Sequence, residues 1–195
     1  MPEGSKKIYC PSCGEKVDTF VMLDTELTEN YHCFACGAQL SEGKAGSGRK
    51  PLELMLVAED SMVFREVIRD KIIELEIAKD VVLSPNGEEF LAVFTHRVSH
   101  NHPVSLAVLD IRMPGMNGIN AAMALRAVER GLGVKRPTPI LFFSTVQCDD
   151  TLREVLKRCA PARYINKGAS PSPEGLADRL AEVINRLISE SSGKK

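Results

Sequence analysis

After residue 50, short apolar runs alternate with helical patterns along the chain, and this alternation limits the folds that it can adopt. The run Leu52–Ala58 is almost wholly apolar, and apolar residues then recur at helical spacing behind Ser61, a residue type that favours helix N-caps. Strands that are apolar throughout are typical of a parallel sheet buried on both faces, so the pattern predicts an α/β fold. The further predicted strands are Val81–Leu83, Ser105–Leu109, Ile140–Phe143 and Tyr164–Ile165, and the further predicted helices are Glu88–Val98, 119–130, Asp149–Arg158 and Glu174–Ser189.

Composition limits the size and the environment of the protein. The 195 residues include 26 acidic and 25 basic ones, which predicts one ordinary domain with a small appendage and argues against a globally basic nucleic-acid binder. No apolar run approaches the roughly 18 residues of a membrane span, and the first residues lack the apolar core of a signal peptide. We therefore expect a cytoplasmic protein without membrane contact, in which paired cysteines indicate a metal site.

Four of the six cysteines form two Cys-x-x-Cys pairs, namely Cys10 with Cys13 and Cys33 with Cys36. Four thiolates in two such pairs predict a tetrahedral Zn²⁺ site, which would be structural because no coordination position stays open. Residues 1–40 resemble a zinc ribbon, and the Gly-, Ser- and Lys-rich residues 41–50 are predicted to form a flexible linker.

Polar side chains follow the predicted strands at the point where each apolar run ends. Because the carboxyl ends of parallel strands meet at one edge of a sheet, where ligands bind in open α/β folds, we expect these side chains to lie together. They are Glu59 and Asp60 after the first strand, Asp110 after the third, Ser144 after the fourth and Lys167 after the fifth.

This pattern resembles the receiver domain of two-component response regulators. The resemblance implies a receiver domain over residues 51–190, a disordered tail at 191–195, and a five-stranded, doubly wound, flavodoxin-like parallel sheet in the order 2-1-3-4-5. The matching segments are Leu-Val-Ala-Glu59-Asp60-Ser, Asp110-Ile-Arg-Met-Pro-Gly-Met-Asn-Gly118, Pro-Ile-Leu-Phe-Phe-Ser144-Thr and Tyr164-Ile-Asn-Lys167.

By this resemblance, Asp110 would accept a phosphoryl group from a histidine kinase, and Lys167 would place a positive charge against a phosphoryl oxygen. Ser144 and Tyr164 would form a switch, although Tyr164 also fits an ordinary half-buried strand residue. A Mg²⁺ ion would lie among the acids, because Mg²⁺ prefers oxygen ligands. The implied Mg²⁺ ligands are Glu59 (largely through water), Asp60, Asp110 and the backbone carbonyl of Arg112.

The resemblance implies a bacterial signalling switch and not an enzyme, with a downstream protein partner and a homodimer on activation. An alternative stays open, in which a zinc-ribbon transcriptional regulator contacts nucleic acid under receiver control. Residues 1–50 carry no basic stripe, which favours protein contacts. Gly168 follows Lys167 where the family usually has proline, so the geometry of that loop is left open.

Three histidines crowd the segment Thr95–Pro103, which is predicted to be a solvated loop. His100 and His102 have a spacing that metal sites use, but no acid or cysteine lies near them in the sequence. His96 completes the group, for which we expect no ligand.

Overall fold

The computed structural model describes residues 7–10, 15–23, 29–33, 39–40, 51–146, 148–167 and 172–192. Near the N-terminus, four short strands form an antiparallel sheet in the order β1-β2-β3-β4. Buried Cys10, Val17 and Leu40 pack together in this sheet. The strands are β1 (Lys7–Cys10), β2 (Glu15–Leu23), β3 (Glu29–Cys33) and β4 (Gln39–Leu40).

Strands β2 and β3 pair in antiparallel orientation, with Thr19 opposite Cys33 and Leu23 opposite Glu29. Cys13, Cys36 and the predicted linker lie outside the described residues, so the zinc ribbon stays a prediction.

A second sheet of five parallel strands carries the rest of the fold, as predicted. Its strands are β5 (Leu52–Ala58), β6 (Ala78–Ser84), β7 (Leu106–Leu109), β8 (Ile140–Ser144) and β9 (Ala162–Asn166). They lie in the order β6-β5-β7-β8-β9, which is 2-1-3-4-5 when the strands are counted within this sheet. Five helices connect and follow them: α1 (Met62–Glu74), α2 (Gly87–Ser99), α3 (Gly118–Gly131), α4 (Asp150–Arg158) and α5 (Pro173–Ser192).

Each face of the parallel sheet is covered by helices. Helices α1 and α5 pack on one face, where Phe64, Ile68 and Leu180 are buried against strand residues. Helices α2, α3 and α4 cover the other face, where Phe90 and Leu125 are fully buried. Because both faces are covered, the central strands contain almost no polar side chain before their carboxyl ends.

Short polar side chains start the helices that follow the strands. The hydroxyl of Ser61 accepts a hydrogen bond from the backbone N–H of Phe64 and so caps α1. Asn86, Asn117 and Asp149 cap α2, α3 and α4 in the same way. Asp149 was predicted as the first helical residue and is the cap instead.

Two predicted boundaries are wrong. Helix α5 extends to Ser192, so the first residues of the predicted disordered tail are helical, whereas 193–195 lie outside the described residues. Helix α2 continues to Ser99 and contains His96, so only the later part of Thr95–Pro103 is a loop. No helix in the described part of the chain has both the length and the apolar character needed to cross a bilayer.

Candidate functional site

The site lies at the carboxyl edge of the parallel sheet, where strand pairing sets the positions of its side chains. Ala58 of β5 pairs with Leu109 of β7, so the residues that follow them, Glu59 and Asp110, leave the sheet side by side. The backbone N–H of Asp110 donates to the carbonyl of Ala58 at 2.9 Å. On β9, the backbone N–H of Lys167 donates to the carbonyl of Ser144 at 2.8 Å, which holds this lysine at the same edge.

Lys167 joins the two buried acids of the site. Its Nζ donates to Oε2 of Glu59 at 2.6 Å and to Oδ2 of Asp110 at 2.5 Å. The exposed fractions of Glu59, Asp110 and Lys167 are only 4%, 6% and 6%. Buried charges persist when they are paired and hydrogen-bonded, and here one cation is shared between two anions. The expectation that these three side chains converge is confirmed.

A third acid, Asp60, lies at the solvent-exposed side of the pocket. Oxygen atoms of Glu59, Asp60 and Asp110 all lie within 4.8 Å of one another, and Asp60 is exposed. One lysine cannot balance three carboxylates, so the pocket keeps an excess of negative charge. Carboxylate oxygens are the ligands that hard divalent cations such as Mg²⁺ prefer, and the donor set therefore fits such an ion.

Burial makes the Glu59 carboxyl a weaker acid than an ordinary glutamate side chain. The loss of solvation raises the pKa of its carboxyl from 4.5 to about 7, against the opposing effect of the Lys167 ammonium. The neighbouring carboxylate of Asp110 raises the same pKa further. Near neutral pH the Glu59 carboxyl is therefore partly protonated when no divalent cation is bound.

Backbone contacts fix the carboxylate of Asp110 and the turn behind it. The N–H of Arg112 donates to Oδ1 of Asp110 at 3.0 Å, while the Arg112 side chain is exposed. Gly118 packs directly under this turn, where a Cβ atom would lie 2.0 Å from the Asp110 carbonyl oxygen. The second glycine of the Asp-x-x-Met-Pro-Gly-Met-x-Gly element is therefore required by close approach of the backbone.

Ser144 is fully buried at the end of β8. Among the residues that the structure describes, its Oγ is the only buried side-chain nitrogen or oxygen without a hydrogen-bond partner. An unsatisfied buried hydroxyl costs about 1–3 kcal/mol, so a ligand oxygen at this position would gain a ready donor.

Tyr164 lies half-buried on β9 and is hydrogen-bonded through its hydroxyl. The hydroxyl donates to the carbonyl of Val146 and accepts from Nδ2 of Asn166 at 2.8 Å. Burial raises the pKa of the phenol above its ordinary value. These bonds tie the aromatic ring to the segment that follows Ser144.

Residues 55–178 match the family described as the response regulator receiver domain. This match covers more than half of the chain and includes every acid of the site as well as Lys167. The chain belongs to the response regulator receiver family.

Curated relatives of this receiver are longer proteins. It is 32% identical over 144 residues to a protein-glutamate methylesterase/protein-glutamine glutaminase of Haloarcula marismortui, covering 71% of this chain and 35% of the relative. It is 29% identical over 133 residues to the transcriptional regulatory protein AruR of Pseudomonas aeruginosa, covering 68% and 50%. The chain thus spans half or less of the length of these relatives.

Solved receiver structures share the fold. The receiver domain of the histidine kinase CKI1 from Arabidopsis thaliana, complexed with Mg²⁺ and BeF₃⁻, aligns with a TM-score of 0.54 at 23% identity, over 71% of this chain and 90% of that one. The response regulator domain of Thermotoga maritima CheB aligns with a TM-score of 0.53 at 24% identity, over 71% and 97%. At these identities the likeness establishes the α/β architecture.

Two arginines that support the receiver site could not be identified from the sequence. Nη1 of Arg65 on α1 donates to the backbone carbonyls of Glu59 at 2.6 Å and Asp60 at 2.9 Å. Nη1 of Arg179 on α5 donates to the backbone carbonyl of Lys167. Both arginines lie in ordinary amphipathic helix patterns; the one signal for Arg65 is its place in the first turn after the Ser61 cap.

Two aromatic rings also contact the lysine of the receiver site. Nζ of Lys167 lies 5.0 Å from the ring centroid of Phe64 and 5.8 Å from that of Phe143. At these distances the rings contribute cation–π attraction to the ammonium group. Phe143 ends the predicted strand Ile140–Phe143, whereas Phe64 was not singled out from the sequence; neither was predicted to lie at the site.

The structure describes only part of the predicted zinc site and does not describe the residue that follows Lys167. Gly168, Cys13 and Cys36 lie outside the described residues, and Cys33 is described only as part of β3. Cys10 is buried in the N-terminal sheet.

Proposed function

We propose that this chain is a phosphoryl-accepting switch, in which Asp110 receives a phosphoryl group from a histidine kinase. The observation that carries the proposal is the lysine bridge: Nζ of Lys167 contacts the carboxylates of both Asp110 and Glu59 inside one buried pocket. A carboxylate can take a phosphoryl group as an aspartyl phosphate, provided that the site neutralises the charge that this adds.

Asp110 is the acid best placed for this transfer. One of its oxygens is held by the Arg112 N–H and the other by Lys167, so the carboxylate has a fixed orientation before any phosphate arrives. In the proposed step, a carboxylate oxygen of Asp110 bonds to phosphorus while the bond between phosphorus and the imidazole nitrogen of the kinase breaks. Lys167 then neutralises part of the charge on the transferred group.

The same pocket is the proposed site of Mg²⁺. Glu59, Asp60 and Asp110 offer the oxygen donors, and the backbone carbonyl of Arg112 is the fourth proposed ligand, with Glu59 acting largely through water. A bound Mg²⁺ would supply the positive charge that three carboxylates and an incoming phosphate require.

The proposed switch starts at Ser144. Its buried, unpaired hydroxyl would donate to an oxygen of the new phosphoryl group, and the segment after β8 would move with it. Tyr164 would respond because its hydroxyl is bonded to the carbonyl of Val146 in that segment. The result would be a changed surface around α4, β9 and α5, where a downstream protein partner or a second copy of the chain would bind.

In this proposal the phosphorylated chain acts by binding a partner protein and does not itself catalyse a reaction on a substrate. Asp110 would be modified once per signal, which suits a switch that acts through changed contacts. No described residue favours the alternative of nucleic-acid contact through a zinc ribbon. The activities of the longer relatives belong to those proteins, of which this chain spans half or less.

We also propose that the N-terminal cysteines hold a structural Zn²⁺. Cys10 ends β1 and is buried beside Val17 and Leu40, so its thiol lies inside the N-terminal sheet, where a bound metal ion would contribute to folding. Metal analysis of the purified chain should give one Zn²⁺ per molecule, lost in Cys33→Ser. A zinc-free chain with the same N-terminal sheet would contradict this part of the proposal.

The proposed phosphoryl transfer is tested with acetyl phosphate and Mg²⁺ by intact mass spectrometry. We expect the unmodified chain to gain one phosphoryl group and Asp110→Asn to gain none. Asp80→Asn, which removes an exposed acid on β6, is the matched control and should be labelled like the unmodified chain. Labelling that survives in Asp110→Asn would refute the assignment of the acceptor.

A further inference from the structure

Two histidines face each other at the end of α2, far from the carboxylate pocket. His96 lies in the last turn of α2 and His100 is its C-cap, and both side chains are exposed. Their ring centroids are 4.4 Å apart, with an angle of 40° between the ring planes. A spacing of four residues on a helix places two side chains one above the other, which explains this approach.

The hydrogen bond made by His100 prepares its other ring nitrogen for a ligand. Nδ1 of His100 lies 2.8 Å from the backbone carbonyl oxygen of His96. A carbonyl can only accept, so Nδ1 must carry the proton, and in the neutral ring Nε2 then has a free lone pair. Metal-binding histidines are commonly oriented by this kind of bond from the nitrogen that does not bind the metal.

The surroundings of the pair favour a cation. The C-terminal end of a helix carries partial negative charge from its last carbonyl groups. The chain then turns back, since Asn101 has a φ of 58° and the backbone N–H of His102 donates to the carbonyl of Arg97 at 2.9 Å. The guanidinium of Arg97 is directed to Asp80 on β6, 4.0 Å away, and so is partly compensated.

We propose that His96 and His100 form a two-histidine site for a divalent transition-metal ion of the Ni²⁺, Cu²⁺ and Zn²⁺ class. Imidazole nitrogen suits these ions, whereas Mg²⁺ prefers the oxygen ligands of the carboxylate pocket. Among the described residues, the only group of three metal-ligating side chains is the acidic one. The ion at the histidine pair would therefore take its other ligands from water or from another molecule. This site is independent of the proposed phosphoryl transfer.

Titration of the full chain with Ni²⁺, followed by amide NMR, tests this proposal. One equivalent of Zn²⁺ is added first to occupy the N-terminal cysteines. Substoichiometric Ni²⁺ should broaden the amide signals around residues 96–102 before any others. His96→Gln and His100→Gln should each weaken the site by about tenfold or more, because each leaves a single ligand.

His102→Gln is the matched control, since it removes a neighbouring exposed histidine outside the pair. We expect it to bind Ni²⁺ as the unmodified chain does. Equal weakening in all three variants, or no weakening in His96→Gln, would overturn the two-residue assignment. Broadening that begins at the cysteine segment or at the carboxylate pocket would overturn it as well.

Discussion

The buried carboxyl of Glu59 makes the stability of the metal-free protein depend on pH in a predictable direction. Below pH 4.5 this group is protonated in both the folded and the unfolded chain and contributes no penalty. Between 4.5 and about 7 the unfolded chain releases the proton while the folded chain retains it. The folded state then binds more protons than the unfolded one, so the free energy of unfolding falls as the pH rises.

The size of the effect follows from the pKa. Raising it from 4.5 to about 7 corresponds to about 3 kcal/mol, since one pKa unit is worth about 1.4 kcal/mol. That penalty is complete above pH 7. Glu59→Gln removes the titrating group, so the unmodified chain should lose about 3 kcal/mol relative to this variant between pH 4.5 and 7.5.

Urea denaturation without divalent cations, repeated across this pH range, measures the difference. Glu53→Gln is the control, because it removes an exposed carboxylate that pairs with Lys79 on the surface. It should follow the pH dependence of the unmodified chain. A difference between the unmodified chain and Glu59→Gln that stays constant with pH would refute the argument that burial holds the proton on Glu59.

Three further substitutions test other parts of the site. Ser144→Ala should raise the free energy of unfolding by about 1 kcal/mol, because it removes an unpaired buried hydroxyl, and a loss of stability in urea would contradict this. Gly118→Ala should cost about 1–3 kcal/mol through its backbone clash, whereas Gly131→Ala, with open space around it, should not destabilise the chain in the same assay. Arg179→Gln should slow labelling by acetyl phosphate about tenfold by releasing the carbonyl of Lys167, and an unchanged rate would exclude a positioning role.

The sequence predicted the central strands better than the edge strands, for a physical reason. Leu52–Ala58 is predicted and observed with the same limits, because a strand covered on both faces must be apolar along its length. Strand β6 is at one edge of the sheet and starts at Ala78, before the predicted Val81. Its exposed residues Lys79 and Asp80 are tolerated at an edge, so hydrophobicity does not mark the start of this strand.

Hydrophobic patterns do not predict which charged side chains on a helix are buried. Arg126 and Glu129 have the spacing of an exposed ion pair on α3, yet they are 5% and 3% exposed. The guanidinium of Arg126 donates to Glu129 and to the carbonyls of Cys159 and Thr138, and Glu129 accepts from the Thr138 N–H. Such burial depends on the loops that meet there, and no local pattern reports it.

The acids and the lysine of the site could be predicted from the sequence because each follows an apolar strand. In a parallel sheet, position at a strand end fixes position in space. The supporting contacts of Arg65 and Arg179 depend instead on how α1 and α5 are rotated against the sheet. Periodicity gives the buried face of a helix but not which long side chain at its margin reaches a particular carbonyl.

A crystal structure with Mn²⁺ in place of Mg²⁺ shows whether the acids that follow separate strands form one divalent-cation pocket. We expect an anomalous difference peak in contact with the carboxylates of Asp60 and Asp110, beside the Lys167 ammonium. Asp60→Asn should weaken or abolish that peak. A fully ordered pocket without metal in Mn²⁺-soaked crystals, or Mn²⁺ bound only elsewhere on the chain, would show that these acids do not form a divalent-cation site.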